Sequence, residues 1–268
     1  MNQRIPAVLV PAMEHYLSSV HRRLSSFLGA FYVVGSIALD EFNPHFSDVD
    51  FVAVINHPVT KQEVDILRRI HIETDRQYPH WKLSGMYLLE SQLGKYAGDV
   101  ESLIGFHDGN LRVQSNFELN PITWWILKNH GIPVLGSDPR DLAITVDAET
   151  LLSWTQKNMN TYWKNWTRRP IRLLSLLTDW GVQWTVLGIL RQVYTIREKN
   201  IITKQRAGEY GLYEVPERWH RIIKEAIRIR TKTAGPLYRS TFIRAMEVRD
   251  FINYIITTSN HYLHNPPQ

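Results

Sequence analysis

Apolar residues recur at helical spacing through residues 7–28, at Val8, Leu9, Met13, Tyr16, Leu17, Val20, Leu24 and Leu28, and the spacing predicts a helix ending at Gly29. Continuous apolar, β-branched and aromatic runs at 31–34 and 49–55 predict strands. Thr60 with Glu63 three positions on reads as a capping box, opening a helix over 60–77 whose apolar face is Val64, Leu67, Ile70 and Ile72. Residues 82–90 read as a third strand, and 94–119, with Gly94, Gly98, Gly105 and Gly109, as an irregular binding segment or lid. Pro121 starts a helix through His130, Gly131 ends it, and 133–135 makes a short edge strand. Beyond residue 147 the pattern turns helical: 148–166, 170–180, 182–198, 203–211, 215–230 and 237–264, with breaks at Pro170, Gly181, Asn200, Gly211, Pro216 and Gly235-Pro236. Trp154, Tyr162, Trp163, Trp166, Trp180 and Trp184 fall in this half, at spacings expected of a bundle core. The expected architecture is α+β: an α/β domain with a mixed sheet over 1–146, then an all-helical bundle over 147–268 whose last residues, 265–268, fray.

The chemistry concentrates between the first two strands. Gly35-Ser36 closes the first, and after eleven intervening residues Asp48-Val49-Asp50 opens the second. Alternate strand residues face the same way, so Asp48 and Asp50 share one face while Val49 turns into the core. A hard divalent cation such as Mg²⁺ binds through one or two carboxylates plus substrate phosphates, which paired aspartates suit. Gly35 lets backbone approach a phosphate, and Ser36 offers a hydroxyl and an amide at the start of a helical turn over 37–41.

Composition narrows the setting without naming a substrate. With 268 residues, 44% of them hydrophobic and 21% charged, the chain can bury the cores of two ordinary domains. It has no cysteine, which excludes disulfides, thiolate metal sites and cysteine nucleophiles. No apolar run reaches transmembrane length, and Met1–Pro6 does not open a secretory signal, so a cytosolic protein with no membrane partner is expected. The formal charge of +5 permits an anionic partner such as a nucleotide, while no basic stripe or RNA-binding motif stands out.

The stretch Gly35-Ser-Ile-Ala-Leu-Asp-Glu-Phe-Asn-Pro-His-Phe-Ser-Asp48-Val-Asp50 resembles the nucleotidyltransferase superfamily, and most closely the streptomycin/spectinomycin adenylyltransferases, which inactivate aminoglycosides with ATP. Weaker echoes follow at Leu135-Gly-Ser137, Leu187–Tyr194, Ile201-Ile-Thr-Lys204 and Trp219. The resemblance implies a nucleotidyltransferase-type N-terminal domain and Mg²⁺-dependent transfer of AMP from ATP to a hydroxyl of a small molecule. In it Asp48 and Asp50 serve as catalytic residues and metal ligands, and Gly35, Ser36 and Lys204 bind the triphosphate. Arg191, Arg197, Arg228 and Arg230 are weaker nucleotide contacts on the same grounds.

Two departures stand out. The family's catalytic glutamate, on the strand after the second helix, falls at Ser84 here; Glu90 shares its strand parity but lies roughly 20 Å along. Substitute bases are Asp40, Glu41, Asp99, Glu101, Asp108, Glu118 and His107, whose imidazole titrates near neutrality. Where the family carries acidic acceptor contacts this chain reads Gly181-Val-Gln-Trp184, with Asp179 the nearest carboxylate, and a basic chain is a poor match for a polycation. The expected function is thus adenylyl transfer, with an aminoglycoside such as streptomycin or spectinomycin as acceptor. The alternatives are a nucleotide-binding sensor without turnover, or transfer to RNA or a protein side chain.

Overall fold

The computed structural model describes residues 1–100, 103–107, 109–113, 119–233 and 235–264. The chain divides into two compact units, Met1–Val146 and Asp147–Gln268. The first holds helices α1 (Val10–Arg23), α2 (Gly35–Ala38), α3 (Lys61–Gln77) and α4 (Pro121–His130), and strands β1 (Leu28–Val33), β2 (Val49–Ile55), β3 (Leu83–Leu89), β4 (Ile104–His107), β5 (Asn110–Val113) and β6 (Ile132–Leu135). The strands form one six-stranded sheet in the order β5-β4-β3-β2-β1-β6. It is mixed: β2 and β3 run parallel, joined across α3, and every other neighbouring pair is antiparallel.

Register sorts the sheet into two faces. Tyr32 pairs with Val52, Asp50 with Ser84, Met86 with Gly105, and His107 with Asn110, so these residues share one face. The opposite face carries Phe31, Phe51, Tyr87 and Phe106, all buried under α1 and α3. Phe31 and Phe51 stack there at 5.0 Å, and Tyr16 from α1 packs against both.

The capping box at the start of α3 is present, with the Glu63 amide donating to Thr60 Oγ1 and the Thr60 amide to Glu63 Oε2. Its buried stripe differs from the expected one: Leu67, Ile70, His71 and Thr74 are buried, while Ile72 is 38% exposed. The helical period carries two polar residues inward, and the His71 Nδ1 is left buried without a hydrogen-bond partner among the described residues. Thr74 Oγ1 donates to the Ile70 carbonyl, while His71 stacks on Phe106 at 3.6 Å and its Nε2 hydrogen-bonds the Tyr87 hydroxyl, itself bonded to Tyr16.

Burial pushes the His71 pKa down to about 3. The unfolded chain takes up this proton as pH falls below about 6.5, whereas the folded core holds the ring neutral until about pH 3, so stability is lost as pH falls through that window. The first unit is expected to be about 3 kcal/mol less stable at pH 4 than at pH 7 from this residue, since a tenfold difference in proton affinity between the folded and unfolded chain is worth about 1.4 kcal/mol. Urea unfolding at the two pH values measures it, and His71→Phe should flatten the slope.

Three boundaries depart from the sequence expectation. The first helix stops at Arg23, because Ser26 adopts a positive φ of 62° and turns the chain into β1, which begins at Leu28. The turn after Gly35-Ser36 is α2 at Gly35–Ala38, closing earlier than 37–41 because Asp40 takes φ 56°. Within 94–119, β4 and β5 form a hairpin instead of a wholly irregular segment. Pro121 does open α4, with the Asn120 side chain accepting from the Thr123 amide.

The second unit is helical: α5 (Ala148–Asn158) runs through a π turn at Met159–Trp163 into α6 (Lys164–Trp166), followed by α7 (Pro170–Ser175), α8 (Asp179–Glu198), α9 (Lys204–Glu214), α10 (His220–Thr231) and α11 (Thr241–His264). Central to it is α8, whose Val182, Val186, Leu190 and Val193 are buried with Ile222 and Ala226 of α10 and Phe251 and Ile255 of α11. Gly181 and Gly211 lie inside helices and end none. They are sites of close approach: a Cβ on Gly181 would lie 1.9 Å from the Ser175 carbonyl oxygen, and one on Gly211 2.8 Å from Leu190. The aromatic cluster is only partly core. Trp163 and Trp166 are buried, whereas Trp180 is 49% exposed and stacks on Trp184 at 5.4 Å.

Candidate active site

β1 and β2 run antiparallel, so the end of β1 meets the start of β2, and the Val34 amide donates to the Asp50 carbonyl at 2.9 Å. That pairing sets Gly35 directly against the Asp50 side chain. Gly35 has φ +65°, and a Cβ there would lie 1.9 Å from Asp50 Oδ2. Both the backbone conformation and the contact require glycine. Asp50 is half-buried on β2; Asp48, one residue ahead of the strand, is exposed; and Val49 between them is buried. The two carboxylates thus flank a residue anchored in the core, at the mouth of the Gly35 turn.

The connection from Ser36 back to Asp48 is stitched to itself. Ser36 Oγ donates to Ser47 Oγ at 3.0 Å, the Asn43 amide donates to the same hydroxyl, and the His45 amide donates to Asn43 Oδ1. Phe42 packs on Trp81, ahead of β3, at 5.6 Å. Asn43, His45 and Ser47 therefore shape the loop that returns the chain to Asp48. Arg4 clamps the far end of α2, donating to the Ala38 carbonyl at 2.6 Å and pairing with Asp40 at 3.1 Å.

Ser84 lies on β3 directly beside Asp50 and is buried. Its Oγ sits 2.5 Å from Nδ1 of His107 on β4, a hydrogen bond whose donor depends on the imidazole tautomer. The pairing of Gly85 with Phe106 places His107 across from Ser84, so Asp50, Ser84 and His107 occupy one rung over three adjacent strands.

The other carboxylates lie elsewhere. Glu90 opens a single turn after β3, at the far end of the sheet, where it lines a cleft of about 540 Å³ with Asn56, Tyr32 and Ser137. Asp40 is held by Arg4, and Asp99 accepts from the Tyr96 amide in an exposed turn. Glu41 follows α2, its amide bonded to the Ser36 carbonyl. Glu101, Asp108 and Glu118 lie outside the described residues. Among the described residues no group of three or more His, Asp or Glu side chains forms a metal cage. The donor set at Asp48 and Asp50 instead fits a hard divalent cation that takes its remaining ligands from phosphates and water.

In the helical unit, Lys204 is the first residue of α9 and its Nζ lies 4.0 Å from the centroid of the Trp184 ring. Arg172 lies over Tyr162 and Trp166 in the same aromatic cluster. The arginines make contacts within the unit: Arg191 Nε donates to the Ile202 carbonyl, Arg197 pairs with Glu214, Arg228 pairs with Glu225, and Arg230 is buried beside Gln183. Residues 181–184 form the first turns of α8, and Asp179 ahead of them pairs with Arg244 at 2.7 Å.

A family model described as nucleotidyltransferase domain matches residues 16–102, and one described as aminoglycoside adenylyltransferase, C-terminal domain, matches residues 160–258. Among solved structures, the chain is similar to spectinomycin adenyltransferase AAD(9) from Enterococcus faecialis, crystallised with ATP and spectinomycin: TM-score 0.65, 15% identity, covering 91% of this chain and 99% of that one. No curated protein sequence matches it. With a mixed-sheet unit carrying the Gly-Ser and paired-aspartate motif and a helical unit matching the second family model, the chain is a nucleotidyltransferase that resembles the aminoglycoside adenylyltransferases.

Proposed function

We propose that the protein transfers AMP from ATP to a hydroxyl group of a small molecule in a Mg²⁺-dependent reaction, with an aminoglycoside such as spectinomycin or streptomycin as the acceptor. The observation that carries this reading is the apposition of Gly35 to Asp50, with Asp48 alongside, at the end of a Gly-Ser turn. In this reading Asp48 and Asp50 hold Mg²⁺, which would neutralise phosphate charge and orient the triphosphate. Gly35 and Ser36 grip the triphosphate, and the α-phosphorus stays open to the acceptor oxygen.

Among the described residues no helix is long and apolar enough to cross a membrane. The surroundings of the helical unit's aromatic cluster bear on the acceptor. Asp179 is engaged by Arg244, and Arg172 and Lys204 lie on the cluster around Trp184, which favours a less cationic acceptor over a densely charged one.

The test is incubation with labelled ATP, Mg²⁺ and a panel of aminoglycosides and neutral amino-alcohols, scored by mass spectrometry for gain of AMP. An AMP adduct that disappears on chelating the metal is the expected result. MgATP binding without any adduct would overturn it in favour of the second reading, a nucleotide sensor. That reading is prompted by Ser84, where a carboxylate base is absent from the rung beside Asp50.

A further inference from the structure

Away from the Gly35 turn, the first unit's sheet carries the cleft of about 540 Å³ at its other end, a volume within the range of small-molecule sites. Its floor is strand. Ala30 and Tyr32 of β1 pair with Val54 and Val52 of β2, so Ala30, Tyr32 and Val54 share the sheet face that holds Asp50. Two turns wall it, Gly136-Ser137 after β6 and Glu90-Ser91 after β3, with apolar surface added by Leu142. Val54 stands four residues along β2 from Asp50, roughly 13 Å at strand rise, so the cleft is set apart from the paired aspartates.

The polar groups offered there are mostly acceptors. Asn56 Nδ2 donates to the Ser26 carbonyl at 2.7 Å, which leaves the amide oxygen to accept, and that oxygen lies over Gly29, where a Cβ would come within 2.5 Å of it. Glu90 is exposed at the rim, and among the described residues its carboxylate has no ion-pair partner. Burial raises the Tyr32 pKa against the hydrogen bond to Ser137, and the Glu90 charge adds to the rise, so the phenol stays a neutral hydroxyl within the field of that carboxylate. No lysine or arginine lines the cleft, although the chain carries a formal charge of +5. Lys128 commits its Nζ to the carbonyls of Leu142 and Arg140, and Arg140 is paired with Asp138.

We propose that this cleft binds a small organic cation, a primary ammonium group carried on a compact apolar body. The body lies on Ala30, Val54 and Leu142, and the ammonium, which has donors and no acceptor, donates to the Glu90 carboxylate and to Asn56 Oδ1. A carboxylate on the same body meets Glu90 as a like charge. Such binding requires neither nucleotide nor turnover.

Three probes of one shape test it on the full chain: phenylbutylammonium, phenylbutanol and phenylbutyrate, titrated by ligand-observed NMR. The ammonium is expected to bind about three- to tenfold more tightly than the alcohol, the size of one charge-assisted contact at a solvated rim, and the butyrate most weakly. In the wild type, the backbone amides of Gly29, Gly136 and Ser137 should shift on titration with the ammonium, which locates the site without any variant. Glu90→Gln, at an exposed side chain, should bring the ammonium to the affinity of the alcohol. Ser91→Trp, which fills the mouth from an exposed position, should weaken both, and Asp50→Asn should change neither. Equal affinity for the three probes, no saturable binding of the ammonium at about 10 mM, a preference for it that survives Glu90→Gln, or one lost in Asp50→Asn would overturn the site.

Discussion

Asp50→Asn is expected to lower AMP transfer by about 10³-fold or more while the fold persists. Removing one of two carboxylates from the proposed divalent-cation site would forfeit several kcal/mol of transition-state charge stabilisation, and about 1.4 kcal/mol is a factor of ten. The larger loss should fall on Asp50, which is half-buried on β2 and fixed against Gly35; Asp48 is exposed just ahead of the strand and freer to be replaced by water. Asp40→Asn is the control. Asp40 makes a surface pair with Arg4, worth at most about 1 kcal/mol, and its φ of 56° is one that Asn tolerates. Transfer rates and MgATP affinities of the three variants decide the matter: wild-type rates in both Asp48→Asn and Asp50→Asn would remove the paired aspartates from the mechanism.

Part of this site was readable before any coordinates. Strand alternation around Asp48-Val49-Asp50 needed only a period of two, and the glycine before Ser36 needed only the rule that close approach and positive φ exclude a Cβ. Local signals such as Thr60 with Glu63 and Asn120 before Pro121 also marked helix starts, because capping is decided within four residues. Contacts set by tertiary pairing were not readable in the same way. The hydrogen bond between Ser84 and His107 spans 23 positions and forms only because β4 is laid beside β3. The Asp108-Gly109 dipeptide is the signal that could have marked the β4–β5 hairpin, but the flanking strands have only four residues each and one contains Gly105. Gly181 and Gly211 read as breakers because sequence cannot distinguish a glycine that ends a helix from one that admits a neighbour.

The largest stability effect is expected at Glu225, in the helical unit. Its carboxylate is fully buried, accepting from Arg228 Nε at 2.8 Å, from Arg244 at 3.2 Å and from the Leu237 amide at 3.0 Å. Arg244 in turn bonds Asp179 and the Leu177 carbonyl, so a single carboxylate on α10 ties together α11, the start of α8 and the turn before α11. Burial alone would raise the Glu225 pKa, but the hydrogen bonds from Arg228, Leu237 and Arg244 outweigh it and hold it below the usual range. Replacing such a pair with apolar groups can be neutral, whereas removing one partner leaves a buried charge uncompensated. Glu225→Ala should therefore cost about 3–5 kcal/mol, since the nearly buried Arg244 guanidinium would lose its only fully buried carboxylate partner among the described residues. Glu225→Leu combined with Arg244→Met should recover much of that loss. Because the folded pKa is depressed, the stabilisation is present above the unfolded value of about 4.3 and is lost as pH falls through the lower folded value. Six of the nine tryptophans lie in this unit, so denaturant unfolding followed by tryptophan fluorescence reads it directly. An unchanged midpoint in Glu225→Ala would mean that the two arginines find solvent or other partners at little cost.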